Sequence, residues 1–310
     1  MTEIEADTWE AFEAHVKEFR KQHHSGTPLL FRGQEDATWL LTTTLERAGK
    51  ENMRWTAYNE AIYRCSPEIE SHTDISFELP GERKMDRFLR DYDAGPHALL
   101  NTLPVYRYMV YLRHHGFPSP LLDWTSSPYV AAYFAFCRVP RKPSSATFKC
   151  PVCGQKATAK LDASLVCGNC YSGPEKKVTP MDKTQRQVSI YVFAETPKDV
   201  KVRKNNETRI IRCGPFIRSH RRHFLQHSDY SICVAYEKVW CFASHEEVFH
   251  RNKPHQDILT KINIPSTERL KVLNLLDDHN LNAFSLFASE ESLVETIALR
   301  ALDCRSSPKK

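Results

Sequence analysis

Two Cys-x2-Cys pairs constrain this chain more than any other feature. Cys150, Cys153, Cys167 and Cys170 follow the spacing Cys-x2-Cys-x13-Cys-x2-Cys. The spacer is slightly shorter than the roughly 15–20 residues usual for such sites, but the pattern is of zinc-ribbon type. In each Cys-x2-Cys-Gly turn two thiolates converge on one ion. Gly154 and Gly168 free the backbone there, so that its N–H groups can point at sulfur. Four thiolates close a tetrahedral zinc and leave no open position, which makes the predicted zinc structural rather than catalytic. A redox dithiol is the rival reading, and two matched knuckles in one stretch argue against it. Residues 139–187 are therefore expected to be an insert stapled by metal. It divides the remainder into 1–138 and 188–303, with a frayed tail at 304–310.

The chain has 310 residues and 41% hydrophobic composition, enough for a buried core. The other six of its ten cysteines (Cys65, Cys137, Cys213, Cys233, Cys241, Cys304) are scattered and read as buried thiols. No apolar run of about 18 residues is present, so no transmembrane helix and no membrane association are expected. The acidic, amphipathic start MTEIEADTWEAFEAHVKEF lacks the basic and apolar regions of a signal peptide, which predicts a cytoplasmic protein. Net charge is only +5, but segment 139–187 holds nine Lys/Arg against three acids. Segment 198–223 repeats the bias through Lys198, Lys201, Arg203, Lys204, Arg209, Arg212, Arg218, Arg221 and Arg222. Basic faces attract polyanions, nucleic acid first among them, and a solvated surface is the plain alternative.

Periodicity predicts a helix over 7–23, capped by Asp7 or Thr8, with Trp9, Phe12, Val16 and Phe19 on one face. A short strand follows at 29–32, then an extended piece and a short helix. Further helices are expected at 51–67, 82–92 and 97–115, the last two separated by a turn over 91–96. Pro118 and Pro120 exclude regular helix from GFPSPLLDW. A helix from Pro128 to Cys137 comes next, with Pro128 in its first turn and Ser126 or Ser127 as cap. Strands are expected at 188–195, 230–236 and 259–265, and helices near 266–279 and 290–301. The pattern is α+β, with a helical first half and a strand-rich second half.

The stretches LLFRGQEDATWLLTTTLERAG (29–49) and RHHGFPSPLLDWTSSPYVAAYFA (113–135) resemble the FRG-domain family, named for the triplet Phe31-Arg32-Gly33. The family's blocks occur in the same order: FRGQ, a His-x-Gly turn, then Leu-Leu-Asp-Trp-Thr leading into an Ala-rich helix. HRRHFLQHSDY and FSLFASEESLVETIA are similar to its later elements, and the resemblance spans 29–137 and 188–300 outside the insert. Two positions depart from it. Pro120 stands where the family usually has an Arg, and of the family's acidic C-terminal motif only Glu291 remains. The order of elements is in turn similar to that of ADP-ribosyltransferases. This implies a mixed-sheet catalytic core with an Arg on a first strand, a Ser/Thr pair before a helix and a late Glu.

Through that resemblance, Arg32 and Gln34 would hold the phosphates or ribose of NAD. His114, His115, Thr125, Ser126, Ser127 and Gln226 would shape the pocket. Glu291 would stabilise the ribosyl cation and orient the acceptor, with Asp123 as the alternative base. Each residue also has a structural reading. Arg32 pairs with a core acid, Trp124 packs in the core, Asp123 closes an Asx turn, the histidines divide between core and surface, and the serines are caps. Gln226 is a polar surface residue on that reading, and Glu290 and Glu291 are first-turn acids that complement a helix dipole. The leading expectation is an ADP-ribosyltransferase-like enzyme that uses NAD to modify a nucleic acid. NAD hydrolysis is a close variant. Such enzymes commonly occur as toxins or phage-defence effectors, which implies an antitoxin or regulatory partner. The alternative is a non-enzymatic nucleic-acid or nucleotide-binding module. A nuclease is disfavoured, because no acidic cluster has metal-ligand spacing.

Overall fold

A computed structural model of the chain describes residues 1–23, 29–77, 105–139, 146–149, 156–159, 186–196, 208–250 and 257–302, with a few isolated residues between them. The chain opens with β1 (Thr2–Glu5), α1 (Trp9–Gln22), β2 (Leu30–Gln34), α2 (Thr44–Arg47), α3 (Trp55–Thr73) and α4 (Tyr106–His114). Next come β3 (Leu122–Thr125), α5 (Pro128–Phe136), β4 (Ala146–Lys149), β5 (Lys156–Ala159), β6 (Gln187–Ala194) and β7 (Arg209–Arg212). The last third holds α6 (Arg221–Leu225), β8 (Ser228–Tyr236), β9 (Trp240–Phe242), α7 (His245–His250), β10 (Ile258–Pro265), α8 (Arg269–Asp278), α9 (Ala283–Phe287) and α10 (Glu290–Leu302).

One mixed sheet runs β1-β10-β6-β2-β3-β8-β7, with β9 on β8, so strands from both sides of the insert share it. β1 lies parallel to β10, and the other pairs are antiparallel. β4 and β5 form a separate hairpin whose last pair, Lys149 with Lys156, closes on the connection that carries Cys150 and Cys153. Among the described residues no group of three or more His, Cys, Asp or Glu is placed to hold a metal. Cys150, Cys167 and Cys170 lie outside the described residues.

The expected α+β class is what folds, and the first half contributes strands as well as helices. It supplies β1, at an edge, and the two central strands β2 and β3. LDWT forms a strand because the prolines end at Pro120 and leave an apolar, β-prone stretch to pair with β8. Thr8 caps α1, accepting from the Ala11 N–H at 3.2 Å. The helix expected at 51–67 is α3, which runs on through Pro67 and ends on a left-handed Asp74. The expectations for 91–96 and 97–104 lie outside the described residues, as does most of 82–92.

Side chains alternate along the strands and build three clusters. Phe31, Ile190, Val192, Ile262 and Ile264 face α1, α5 and α8. Leu30, Trp124, Tyr191 and Phe193 face the other way, against Leu41, Val248 and Phe249. Tyr230, Ile232 and Val234 pack on α3 and α4. α5 is apolar on every side and buried over most of its length, as a central helix must be. It lies directly on Gly33: a Cβ there would stand 1.9 Å from the Ala131 carbonyl oxygen and 2.7 Å from the Ala135 nitrogen. The glycine of Phe-Arg-Gly thus admits the Ala-rich helix that follows Leu-Asp-Trp-Thr.

Candidate functional site

The two central strands touch at a single register pair, Phe31 with Thr125, and then part. By contrast β2 pairs with β6 over all five of its residues, Leu30 to Gln34. Register puts Asp123 opposite Tyr230 and on the Phe31 face, at the seam between the α5 cluster and the α3/α4 cluster. Arg32 starts on the other face and reaches into the gap. Its Nη1 donates to the Asp123 carbonyl oxygen at 2.9 Å and lies 3.8 Å from Asp123 Oδ2. Arg32 Nε is buried with no hydrogen-bond partner.

Arg113, in the last turn of α4, grips the same carboxylate with a two-pronged fork. Its Nε donates to Oδ1 at 3.0 Å and its Nη2 donates to Oδ2. Its Nη1 donates to Thr44 Oγ1 at 2.6 Å. Thr44 also accepts the Ser119 N–H at 3.0 Å, which ties α2 to the proline turn. Arg47 is exposed at the rim, its Nη1 donating to the Thr42 carbonyl at 3.2 Å. Two guanidinium groups, Arg32 and Arg113, therefore hold one carboxylate, and the charge of Arg47 acts on both arginines from the rim. Burial pushes the Asp123 carboxyl up, but Arg113 and Arg32 outweigh it and hold it below the usual carboxylate range. Burial draws Arg32 down to about 10, against the pull of Asp123 and with the repulsion of Arg113 and Arg47. Both groups remain charged at neutral pH.

His114 joins the cluster through Tyr230: its Nε2 and the Tyr230 hydroxyl are 2.9 Å apart. Burial lowers His114 to about 4, against Asp123 and with His223, His220 and His115 adding repulsion. The imidazole is neutral at pH 7. The His220 ring stands 6.3 Å from that of His114 and 5.9 Å from that of His115. His115 is exposed and packs on Tyr111 at 4.4 Å.

The structure brings Arg32, Asp123 and His114 together and gives the other expected residues separate local roles. Gln34 is buried, and its Nε2 donates to the Leu40 carbonyl. Thr125 Oγ1 donates to the Gln226 carbonyl at 2.7 Å and accepts the Ser127 N–H. Ser127, the second of the two cap candidates, accepts the Val130 N–H of α5 at 3.3 Å. Ser126 is exposed, its N–H donating to the His227 carbonyl. Gln226 Nε2 donates to the Leu286 carbonyl, fastening α6 to α9. Trp124 is core, stacked on Phe193 at 5.1 Å with its N–H on Ser231. Glu291 is exposed in the first turn of α10. Hydrogen bonds from its own N–H and from Ser289, with the charge of Arg222, lower its carboxyl.

Arg113, Arg47, Thr44, Tyr230 and His220 were not singled out from sequence. Arg113 directly precedes the His-His-Gly turn and Arg47 sits in the TTTLERAG block, so both lie in the two stretches that resemble the FRG domain. His220 and Tyr230 are the two ends of the HRRHFLQHSDY block; the register of β8 on β3 brings Tyr230 to the site, and the cap of α6 brings His220. Residues 27–143 match the family model of the FRG domain. That segment contains Arg32, Gly33, Arg47, Arg113, His114, Asp123 and α5, and stops short of Tyr230, Gln226 and Glu291. No curated protein and no solved structure matches the chain at a significant level. Among the described residues no helix is long and apolar enough to cross a membrane.

Proposed function

We propose that this chain is a cytoplasmic, ADP-ribosyltransferase-like enzyme that uses NAD to modify a nucleic acid. The observation that carries the reading is the surplus of guanidinium where β2 and β3 part. Arg32 and Arg113 share the single carboxylate of Asp123, Arg47 adds its charge at the rim, and Arg32 Nε has no partner. A dinucleotide brings two phosphates to such a site, and arginine forks match phosphate oxygens in pairs. Asp123, already held by two arginines, is the countercharge that orients them and is a poor base. Neutral His114, held by Tyr230, offers a ring nitrogen to a ribose hydroxyl. In the reaction the nicotinamide–ribose bond breaks, nicotinamide leaves with the bonding pair, and the acceptor attacks and loses its proton. Glu291 would stabilise the positive ribosyl carbon in the manner of a glycosidase carboxylate.

The insert is read as a structural zinc ribbon held by Cys150, Cys153, Cys167 and Cys170. The β4–β5 hairpin supports this, since its six-residue connection carries one complete knuckle and Cys153 is exposed there. Control by an antitoxin-like or regulatory protein belongs to the same reading.

The test is incubation with labelled NAD and single- and double-stranded DNA, RNA and cell protein, following both polymer label and free nicotinamide. Arg32→Ala is expected to weaken NAD retention by about tenfold to hundredfold, the worth of a charged hydrogen-bonding group. Glu291→Gln is expected to lose turnover and keep binding. Nicotinamide without labelled polymer would make the chain an NAD hydrolase. A binding module without turnover is the second reading. It is favoured by one observation: Glu291 is exposed, and its carboxyl is lowered by its own N–H, then by Ser289 and Arg222, with no member of the Arg32–Asp123–His114 cluster among the causes. Neither label nor nicotinamide, with nucleotide still retained, would decide for it.

A further inference from the structure

The basic segment 198–223 is two different things in the fold. Arg212 is buried, its Nη2 2.6 Å from Asp229 and its Nη1 3.5 Å from Glu195. Arg209 lies over the Trp240 ring at 5.0 Å. These two serve the interior. Arg218 and Arg221 are exposed, and Arg222 is half-buried over the Phe287 ring at 5.5 Å. On either side of them the chain exposes two phenylalanines, Phe216 at 65% and Phe224 at 58%. A single exposed aromatic needs no explanation, but a pair flanking arginines within nine residues does.

A buried residue sets the spacing of this pair. His223 is 1% exposed and stacks on Tyr230 at 5.8 Å with a 10° interplanar angle. Its Nε2 lies 2.7 Å from the Pro215 carbonyl oxygen. That contact pins Pro215 to α6, and Phe216 and Phe224 each follow one of the two joined residues. His223 also buttresses the Phe224 ring edge-on at 5.0 Å. The rings are thus carried on a fixed backbone. The same loop supplies His220, whose ring is 6.3 Å from His114, which bonds Tyr230, which faces Asp123. The surface therefore reaches the arginine cluster through His114 and Tyr230.

We infer that the loop 213–224 is a stacking platform for single-stranded nucleic acid. Unpaired bases would lie on Phe216 and Phe224, and Arg218 and Arg221 would contact the intervening phosphates. Exposed aromatic faces with interleaved cations suit splayed bases, whereas a duplex keeps its base faces covered. An acidic peptide would use the arginines and gain little from flat rings. The inference deepens the reading above by naming its acceptor, and rests on that reading only for the transfer step.

The experiment uses the full chain without NAD. Polarisation of a fluorescent single strand of about a dozen nucleotides is compared with the matching duplex, a polyglutamate competitor and anionic vesicles. Tight binding of the single strand over the duplex is expected. Phe216→Ala and Phe224→Ala should each weaken it by roughly fivefold to hundredfold, at unchanged thermal midpoint. Arg218→Ala/Arg221→Ala should lower the slope of log affinity against log salt by about 0.7 for each phosphate left without its arginine. Equal binding of duplex and single strand, indifference to both phenylalanine variants, or equal competition by polyglutamate or vesicles would overturn the inference. Nicotinamide release is read in parallel with the same variants. Release without single-strand binding at this loop sinks the platform alone. Phenylalanine-dependent binding without nicotinamide release leaves the platform standing and removes the transferase reading.

Discussion

Gly33→Ala tests why the Phe-Arg-Gly triplet exists. The new methyl carbon would sit 1.9 Å from the Ala131 carbonyl oxygen and 2.7 Å from the Ala135 nitrogen. An ordinary carbon–oxygen approach is about 3.3 Å, so α5 would have to retreat by roughly 1.4 Å. Both obstructing atoms are backbone, so no rotamer change relieves them. The helix is wedged between the sheet and α8 with Ala131, Ala132, Ala135 and Phe136 fully buried. Overpacking typically costs about 1–3 kcal/mol where side chains can yield, and here the cost should reach about 3 kcal/mol or more. That corresponds to a fall in Tm of about 6–12 °C for a domain of this size. Urea unfolding of the variant is compared with Gly49→Ala, where a Cβ meets open space and only the left-handed φ of +71° resists. The control should lose about 1–2 kcal/mol. Ala131→Gly should not rescue Gly33→Ala, because the clash is not with a side chain. If Gly33→Ala is no less stable than Gly49→Ala, or if Ala131→Gly restores it, the close approach of β2 and α5 is wrong.

Asp123→Asn should cost about 1–3 kcal/mol, below the usual range for breaking a buried pair because the carboxylate is partly exposed, and Arg113→Met should recover part of that in the double variant; additive losses in a urea-denaturation cycle would refute the pairing. Because Asp123 is depressed in the folded state, its contribution is present above the unfolded carboxylate value and is lost as pH falls through the lower folded value. His114, at about 4, and His245, which burial beneath β8 lowers to about 3 and whose Nε2 lies 2.9 Å from Ser231 Oγ, act in the same direction in a higher window. Below about pH 6.5 the unfolded chain takes up protons that the folded one refuses, so stability should fall from pH 6.5 toward 4. His114→Gln should flatten that fall, and an unchanged urea-midpoint profile between pH 7 and 5 would count against a buried neutral imidazole. Metal analysis of the purified chain should find one zinc, with Cys153→Ser releasing it to a chelator; a metal-free chain of full stability would remove the ribbon.

The fold was legible where local chemistry decides it. Thr8 and Ser127 announced their helices because a hydroxyl one residue before an apolar helix has one obvious use. The strand over 187–194 was legible because it is a nearly continuous apolar run, and that over 258–265 because Leu259, Ile262 and Ile264 are strand-prone, although its Lys261 and Asn263 turn to Glu3 and Glu5 of β1. β3 was not, since two prolines upstream masked four residues whose extended form depends on pairing with a strand more than a hundred residues away. β1 was missed for the same reason: Thr2–Glu5 is polar, and only β10 makes it a strand. In the site, Arg32 and Asp123 were identified as residues of interest but not as partners. Arg113 was overlooked beside the more conspicuous His114 and His115, although only its position at the end of α4 lets its fork reach Asp123.

The motif blocks themselves encode packing before they encode chemistry. Phe31 fills the α5 cluster, Gly33 admits the α5 backbone, Trp124 anchors the opposite cluster, and Thr125 and Ser127 fix the entry to α5. Of the residues in Phe-Arg-Gly-Gln and Leu-Asp-Trp-Thr, only Arg32 and Asp123 are left to the place where β2 and β3 part, and they hold each other. A match over 27–143 is therefore strong evidence that β2, β3 and α5 come together and says little about turnover. The chemistry is decided where the match ends, by whether Tyr230, His220 and Glu291 close around an occupant that Arg32 and Arg47 attract. A labelled-NAD assay on Glu291→Gln addresses that question directly. A family comparison restricted to the matched segment cannot, because the segment would pack in the same way around an active site or an inert one.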